Sequence, residues 1–248
     1  MIKFEVKDKI GILTLNRPEK RNALHPDLIR QMKEKLIELK NNDDVKVLII
    51  TGEGKSFCAG ADLQYINDLR NFSSIDNEKD SKELGDLYLM LYNYPKPTIA
   101  AVNGAALAGG CGLASVCDLI VADENNSKFG YPEVKIGFLA AMVSIFIIRR
   151  IGEGAAKQLL LTGETVNGRR AYEIGLVNYL YNNALEGALE VANSLNKNSL
   201  LSMSETKSMI NAVSTLSVEE AVKYCIRLNV VSRSSEDFKK GLESFLKK

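Results

Sequence analysis

The sequence predicts an α/β fold, with a parallel sheet covered on both faces and a helical region after it. Three observations predict this. The runs VKVLIIT (45–51), TIAAV (98–102) and DLIVA (118–122) are nearly continuous apolar stretches of strand length, the pattern of strands buried on both sides. Segments of helical periodicity separate them, and that alternation builds parallel sheets. The last quarter carries no strand signal and reads instead as amphipathic helices at 184–197, 202–213, 217–230 and 234–247. Residues 1–185 are therefore read as an α/β core, and 186–248 as a helical region packing on that core or on a neighbouring subunit.

The remaining elements follow in chain order. IKFEV (2–6) and IGILTL (10–15), joined by Lys7, Asp8 and Lys9, read as a hairpin. In HPDLIRQMKEKLIELKNND, Leu28, Ile29, Met32, Leu36 and Leu39 recur at helical spacing, Pro26 suits a first turn, and Asn41–Asn42 suit a stop. His25, beside Pro26 at this helix start, reads as a structural residue. Residues 66–86 are polar and charged, which predicts a mobile, exposed segment bordering a pocket. No internal repeat or low-complexity tract is evident.

Composition narrows the function. Hydrophobic residues make up 46% of the 248 and charged residues 25%, ordinary globular values. Thirty-two basic side chains nearly cancel thirty-one acidic ones, so no global field calls for nucleic acid or an anionic membrane. MIKFEVKDKI has no apolar h-region, so no signal peptide is expected. The apolar run from Gly137 to Ile148 is shorter than the about 20 residues that span a bilayer. Four cysteines (Cys58, Cys111, Cys117, Cys225) form no CxxC pair, and there is one histidine, so no metal site is expected. Reduced, buried thiols in a cytoplasmic protein are the natural reading. With histidine so scarce, a general base here is expected to be a carboxylate.

Two glycine-rich turns carry the chemistry. The stretch AVNGAALAGGCGLASVCD (101–118) follows the strand TIAAV and opens a helix. Earlier, VKVLIIT leads into GEGKSFCAGADL, where Cys58-Ala59-Gly60-Ala61-Asp62 again lets backbone come close. Strand-to-helix turns without side chains expose unpaired N–H groups, and two such donors aimed at one oxygen form an oxyanion hole. Taken singly, either turn is explained as well by close helix packing. GCGLAS approximates a dinucleotide GxGxxG, but Ser115 replaces the third glycine and no acidic residue closes a following strand about 20 residues on. GEGKS is not a phosphate loop, because Ile49 stands where its first glycine belongs.

Together these residues resemble the crotonase superfamily, the enoyl-CoA hydratase/isomerase family. The likeness lies in ILTLNRPEKRNAL (12–24), VLIITGEGKSFCAGADL (47–63), KPTIAAVNGAALAGGCGLASVCDLIVA (96–122), FGYPEVKIG (129–137) and LTGETVNGRRAYEIGLVN (161–178), in that order. The resemblance implies a crotonase-like spiral of ββα units and a helical C-terminal trimerisation region, giving a homotrimer or a dimer of trimers. It implies acyl-CoA thioester substrates, with coenzyme A arriving as part of the substrate and no cofactor bound permanently. An enolate would be held by the backbone N–H groups of Ala61 and Gly109. Coenzyme A would meet Lys20, Arg21, Phe245 and Lys248, with its adenine edge along the backbone near Ala59 and Ala61, followed by Asp62 and Leu63. For the cations, a solvated basic face is the plain alternative.

One departure bears on the reaction. Family hydratases usually carry two glutamates; Glu133 matches the second, and Gly112 stands at the first. By itself Glu133 reads as an exposed loop residue; by resemblance it is the acid–base, made more basic by Tyr131, Pro132, Val134 and Phe138 around it. Adding water across C=C needs a proton at one carbon and a hydroxide equivalent at the next, work that two carboxylates divide. One carboxylate suffices to move a proton between two carbons. Ser115, Asp62 and Tyr131 are candidates to position a water, and Gly112→Glu is expected to raise hydratase activity. GFLAAMVS (137–144) replaces a proline- and glycine-rich family segment, so Leu139, Met142 and Val143 should make the acyl end apolar and bulky. Two other classes remain: a catalytically weak acyl-CoA-binding protein retaining the fold, and a nucleotide-binding oxidoreductase.

Overall fold

A computed structural model describes residues 1–247. The chain opens with the hairpin β1 (Ile2–Lys7) and β2 (Ile10–Leu15), with Asp8 and Lys9 at positive φ in its turn. Helix α1 (Pro26–Lys40) starts at His25, whose Nδ1 accepts a hydrogen bond from the Asp27 N–H at 3.3 Å; this is the structural role read from the sequence. The five apolar positions read at helical spacing, Leu28, Ile29, Met32, Leu36 and Leu39, are all buried, and Ile37 is exposed. At its far end Lys96 Nζ donates to the Leu39 and Asn42 carbonyls at 2.7 Å each, satisfying groups that a helix end leaves open.

Then come β3 (Val47–Gly52), β4 (Ser56–Cys58), α2 (Leu63–Leu69), α3 (Ser74–Tyr92), β5 (Thr98–Val102), β6 (Ala105–Leu107), α4 (Gly109–Ser115), β7 (Leu119–Asp123) and β8 (Lys128–Gly130). A short 3₁₀ segment, Pro132–Ile136, leads to α5 (Ala141–Thr162), which is kinked at Gly152. β9 (Thr165–Asn167), α6 (Gly168–Glu173), β10 (Tyr179–Tyr181), α7 (Ala184–Leu195), α8 (Leu200–Val213), α9 (Val218–Ser234) and α10 (Glu236–Leu246) complete the chain. The segment 66–86 is thus largely two helices. Ser73 caps the second through its hydroxyl, and Leu87, Tyr88 and Leu91 bury its far end, so its polarity marks a solvated helical face.

The strands form two sheets by repeating one step. A strand joins the first sheet, the next joins the second, and a helix follows: β3–β4–α2, β5–β6–α4, β7–β8–α5. The first sheet runs β1-β2-β3-β5-β7-β10, parallel from β2 onward with β1 antiparallel at its edge. The second runs β4-β6-β8-β9, parallel through β8. This is the ββα spiral.

The continuous apolar runs now have their reason. Leu48 and Ile50 point into a core shared with α1, α3, α4 and α5, while Val47 and Ile49 point the other way, to meet Ala184, Ala188 and Ala192 of α7. Helix α7 therefore packs on one face of the first sheet. Helices α8 and α9 bury no residue. Helix α8 is fastened by polar contacts: Lys207 Nζ donates to Asp118 at 2.8 Å and Asn211 Nδ2 to the Tyr92 carbonyl at 3.0 Å.

Where β4 passes the α4 turn, backbone meets backbone. A β-carbon at Gly110 would overlap the Cys58 carbonyl oxygen and come within 2.8 Å of Cys58 Cβ. Neither neighbour is a flexible side-chain tip. Gly110→Ala is therefore expected to lower stability by about 2–3 kcal/mol, read from urea unfolding at unchanged m-value.

Candidate functional site

The first glycine turn leaves β4 at Cys58. Gly60 adopts φ +96°, a conformation that favours glycine. A β-carbon there would also meet Ala108 Cβ at 2.9 Å and the Leu107 carbonyl at 3.0 Å. The Leu24 N–H donates to the Gly60 carbonyl at 2.7 Å, and the Asp62 N–H donates to the Leu24 carbonyl at 2.9 Å. Ala61 is bracketed by these two bonds, yet among the described residues its own N–H has no acceptor.

The second turn leaves β6. The Ala108 N–H donates to the Gly130 carbonyl at 2.8 Å, and Gly109 then opens α4 with its N–H unpaired among the described residues. Ala108 sits at φ +50°, ψ −127°, a strained conformation for a residue with a β-carbon. Its ψ sets the plane of the 108–109 peptide, and so the direction of the Gly109 N–H. Tyr88 donates its hydroxyl to the Gly109 carbonyl at 2.7 Å, fixing the next peptide as well. The turns are in contact: a β-carbon on Gly60 would lie 3.7 Å from Gly109 N. Two free donors thus sit on touching loops whose geometry is fixed from several sides.

Glu133 belongs to the 3₁₀ segment just after β8, whose Gly130 pairs with Leu107 beside the second turn. It is not an exposed loop residue. Only 9% of it is accessible, and its Oε2 is shut from solvent with no hydrogen-bond partner among the described residues. Burial pushes its pKa above the ordinary 4.5, outweighing a backbone hydrogen bond that lowers it. Its charge reaches the Tyr88 hydroxyl and the Cys111 thiol. A buried carboxyl without a partner is costly to the fold and suited to exchanging protons.

By the Tyr88 hydroxyl, which the Glu133 charge reaches, lies an apolar wall. A β-carbon at Gly112 would fall on Val143 Cγ1, 3.0 Å from Val143 Cβ and 3.2 Å from the Tyr88 hydroxyl. Val143, from α5, fills the space that a side chain at 112 would need. A side chain at 112 therefore requires Val143 to move, which counts against the expectation that Gly112→Glu alone builds a second acid. Further along, Met142 sulfur packs against Gly85 of α3, and Phe146 meets Tyr88 edge-on at 5.9 Å. Leu139 is exposed.

The sequence model of the enoyl-CoA hydratase/isomerase family matches residues 5–248. The chain belongs to this family. It is 40% identical over its whole length, and over 98% of the relative's, to a Thermus thermophilus protein that carries a provisional enoyl-CoA hydratase name. It is 33% identical to the short-chain-enoyl-CoA hydratase of Clostridium acetobutylicum, over 99% of this chain and 94% of that one. Among solved structures, an enoyl-CoA hydratase from Polaromonas superposes with a TM-score of 0.94 at 31% identity, covering 99% of this chain and 96% of that one.

Against this family background the other expected site residues fall into three groups. Lys20, Arg21 and Leu63 are exposed and Ala59 is half-buried; the Ala59 N–H donates to the Arg21 carbonyl at 3.0 Å, holding the basic strap against the first glycine turn. Asp62 is buried and engaged with Arg17, while Ser115 and Tyr131 are buried and share one hydrogen bond of 3.1 Å. Lys248 and the side chain of Phe245 lie outside the described residues. Among the described residues no three His, Cys, Asp or Glu side chains come together to hold a metal ion, and no helix is long and apolar enough to cross a membrane. Sequence reasoning missed Arg17 and Tyr88, and, though it named Val143 as part of an apolar acyl end, it missed that Val143 fills the space over Gly112. Arg17 lies within a matching block, but nothing in the string marks an arginine as buried.

The raised pKa of Glu133 has a consequence for stability. Folding favours its protonated form, so the stability it contributes is complete below 4.5 and lost as pH rises through the higher folded value. Glu133→Gln is expected to melt with the parent protein at about pH 4 and a few degrees above it at about pH 8, by calorimetry. A variant melting lower at both would contradict the buried, unpartnered state.

Proposed function

We propose that this chain is an acyl-CoA enzyme that shifts a double bond through a thioester enolate, with Glu133 as its one proton carrier. The observation that carries the reading is the buried, unpartnered Glu133 carboxyl, together with Val143 filling the space over Gly112 where a second acid would stand.

In the proposed reaction the thioester oxygen accepts hydrogen bonds from the Ala61 and Gly109 amides. Glu133 removes a proton from C2 of a 3-enoyl thioester, and the C–H electron pair flows into the dienolate, whose negative charge rests on that oxygen. The double bond then re-forms between C2 and C3 as Glu133 returns the proton to C4. No atom is gained or lost, and the carboxylate is regenerated. Each oxyanion donor stabilises such a transition state by about 3 kcal/mol. An apolar wall suits this reaction, since it keeps water from the dienolate.

Hydration of a 2-enoyl thioester is the second reading, and the hydratase names of the relatives at 33% and 40% identity favour it. There Glu133 alone would have to serve both the water and C2. A protein that binds acyl-CoA with little turnover is the third.

The wider assembly follows the same reading. Lys20 and Arg21, with Phe245 and Lys248, would meet coenzyme A. The exposed Ile210, Val222, Ile226, Val230 and Val231 on α8 and α9 would be covered in a trimer.

Assaying 3-enoyl to 2-enoyl isomerisation beside 2-enoyl hydration is the direct test. Isomerisation is expected to dominate, with an acid limb whose midpoint lies above 4.5, and Glu133→Gln is expected to lose about 10²- to 10⁴-fold. Hydration outrunning isomerisation would select the second reading, and binding without turnover the third. Gly112→Glu is expected to destabilise the fold without gaining hydratase activity, whereas Gly112→Glu with Val143→Gly should gain it. Equal hydratase activity in the two would show that Val143 is not the obstacle.

A further inference from the structure

Directly behind the Ala61 amide stands a buried ion pair. Arg17 Nη2 donates to Asp62 Oδ2 at 3.0 Å, and Arg17 Nη1 donates to the Ala23 carbonyl at 2.7 Å. The two side chains are only 11% and 10% accessible. The contacts fall on both sides of one backbone bridge: Ala23 precedes Leu24, Asp62 follows Ala61, and Leu24 and Ala61 are the bridged pair. The other carboxylate oxygen, Oδ1, accepts the Gln64 N–H at 3.1 Å and so starts α2. The base of the clamp is also fixed, because the Arg17 N–H donates to Asn22 Oδ1 at 2.8 Å, and Asn22 Nδ2 donates to the Glu53 and Ser56 carbonyls.

A buried ion pair is weak evidence of net stabilisation, since desolvating two charges offsets most of their attraction. Its yield here is geometric. A planar guanidinium bonded at two points resists both sliding and rotation, which a single-point ammonium does not. Burial opposes ionisation of Asp62, but hydrogen bonds from Arg17 and the Gln64 amide, with the Arg17 charge, hold its pKa below the usual value, so the clamp stays charged.

We infer that Arg17 and Asp62 are positioning residues for the Ala61 amide, clamping the Leu24–Ala61 bridge so that this N–H faces the thioester oxygen, and that Asp62 does not contact coenzyme A. The inference rests on the proposed oxyanion role of Ala61. A small misplacement of that donor costs rate more than it costs binding.

The test uses the full-length protein carrying Asp62→Asn or Arg17→Lys. The first keeps an N-cap residue on α2, and the second keeps the charge without the fork. Four quantities are read: melting temperature, affinity for coenzyme A, kcat and KM for a 3-enoyl-CoA, and the red shift in absorption of a conjugated aryl-enoyl-CoA as its carbonyl is polarised on binding. Both variants are expected to remain folded, to bind coenzyme A as the parent does, to lose kcat on the order of 10- to 100-fold, and to show a reduced red shift. A full red shift and full kcat in a folded variant would overturn the inference, as would lost coenzyme A affinity with kcat retained, which would mark Asp62 as a direct contact. If Asp62→Asn does not fold, Arg17→Lys decides on the same readings. Absence of any red shift in the parent protein would overturn the oxyanion reading, and this inference with it, so the two failures are told apart.

Discussion

The structure depends on one close approach, where the loop after β4 and the loop after β6 meet with almost nothing between their backbones. Gly110 lies under the Cys58 carbonyl, and Gly60 lies against Leu107, Ala108 and Gly109. Any larger side chain at these points would push the loops apart. The parallel pairing of β4 with β6 holds them in register, and the pairing of β6 with β8 brings the start of the Glu133 segment alongside. The second sheet, made only of three-residue strands, thereby brings the two glycine turns and the Glu133 segment together.

Several features around the candidate site run against what stability alone would choose. Ala108 holds a strained backbone, Glu133 buries a carboxyl oxygen without a partner, and Arg17 and Asp62 bury opposite charges. Each departs from the locally stable choice, and such departures cluster where function needs fixed geometry or a perturbed proton affinity. The rest of the fold is conventional by contrast, with apolar strands, capped helices and lysine or asparagine groups closing helix ends. Regular packing at β3, β5 and β7 supplies the rigidity that lets a handful of residues remain strained or desolvated.

Much of this was legible in the sequence because it was periodic or repetitive. VLIIT and TIAAV could be little else than strands buried on both faces, and α1 was readable from five apolar positions and a proline. The second sheet was not legible, since three residues are too few for alternation to show, and SFC, AAL and KFG look like loop. Polarity hid α3, whose buried residues lie at its far end while its start is solvated. At the candidate site, the two glycine turns were readable because glycine and alanine runs after strands mark close backbone approach, whereas Glu133 stood out only through the family resemblance and its burial was not legible. Val143 over Gly112 was not, because that contact joins α5 to α4 across the fold, and no local pattern in GFLAAMVS announces which methyl faces which glycine.

The central claim is that the amides of Ala61 and Gly109 share one oxygen. The most direct measurement is a crystal structure of the protein with an unreactive acyl-CoA bound. The account predicts the thioester oxygen within about 2.7–3.1 Å of both nitrogens, with the Glu133 carboxylate facing the carbon next to the carbonyl. A thioester oxygen held by only one of those amides, or turned away from both, would contradict it.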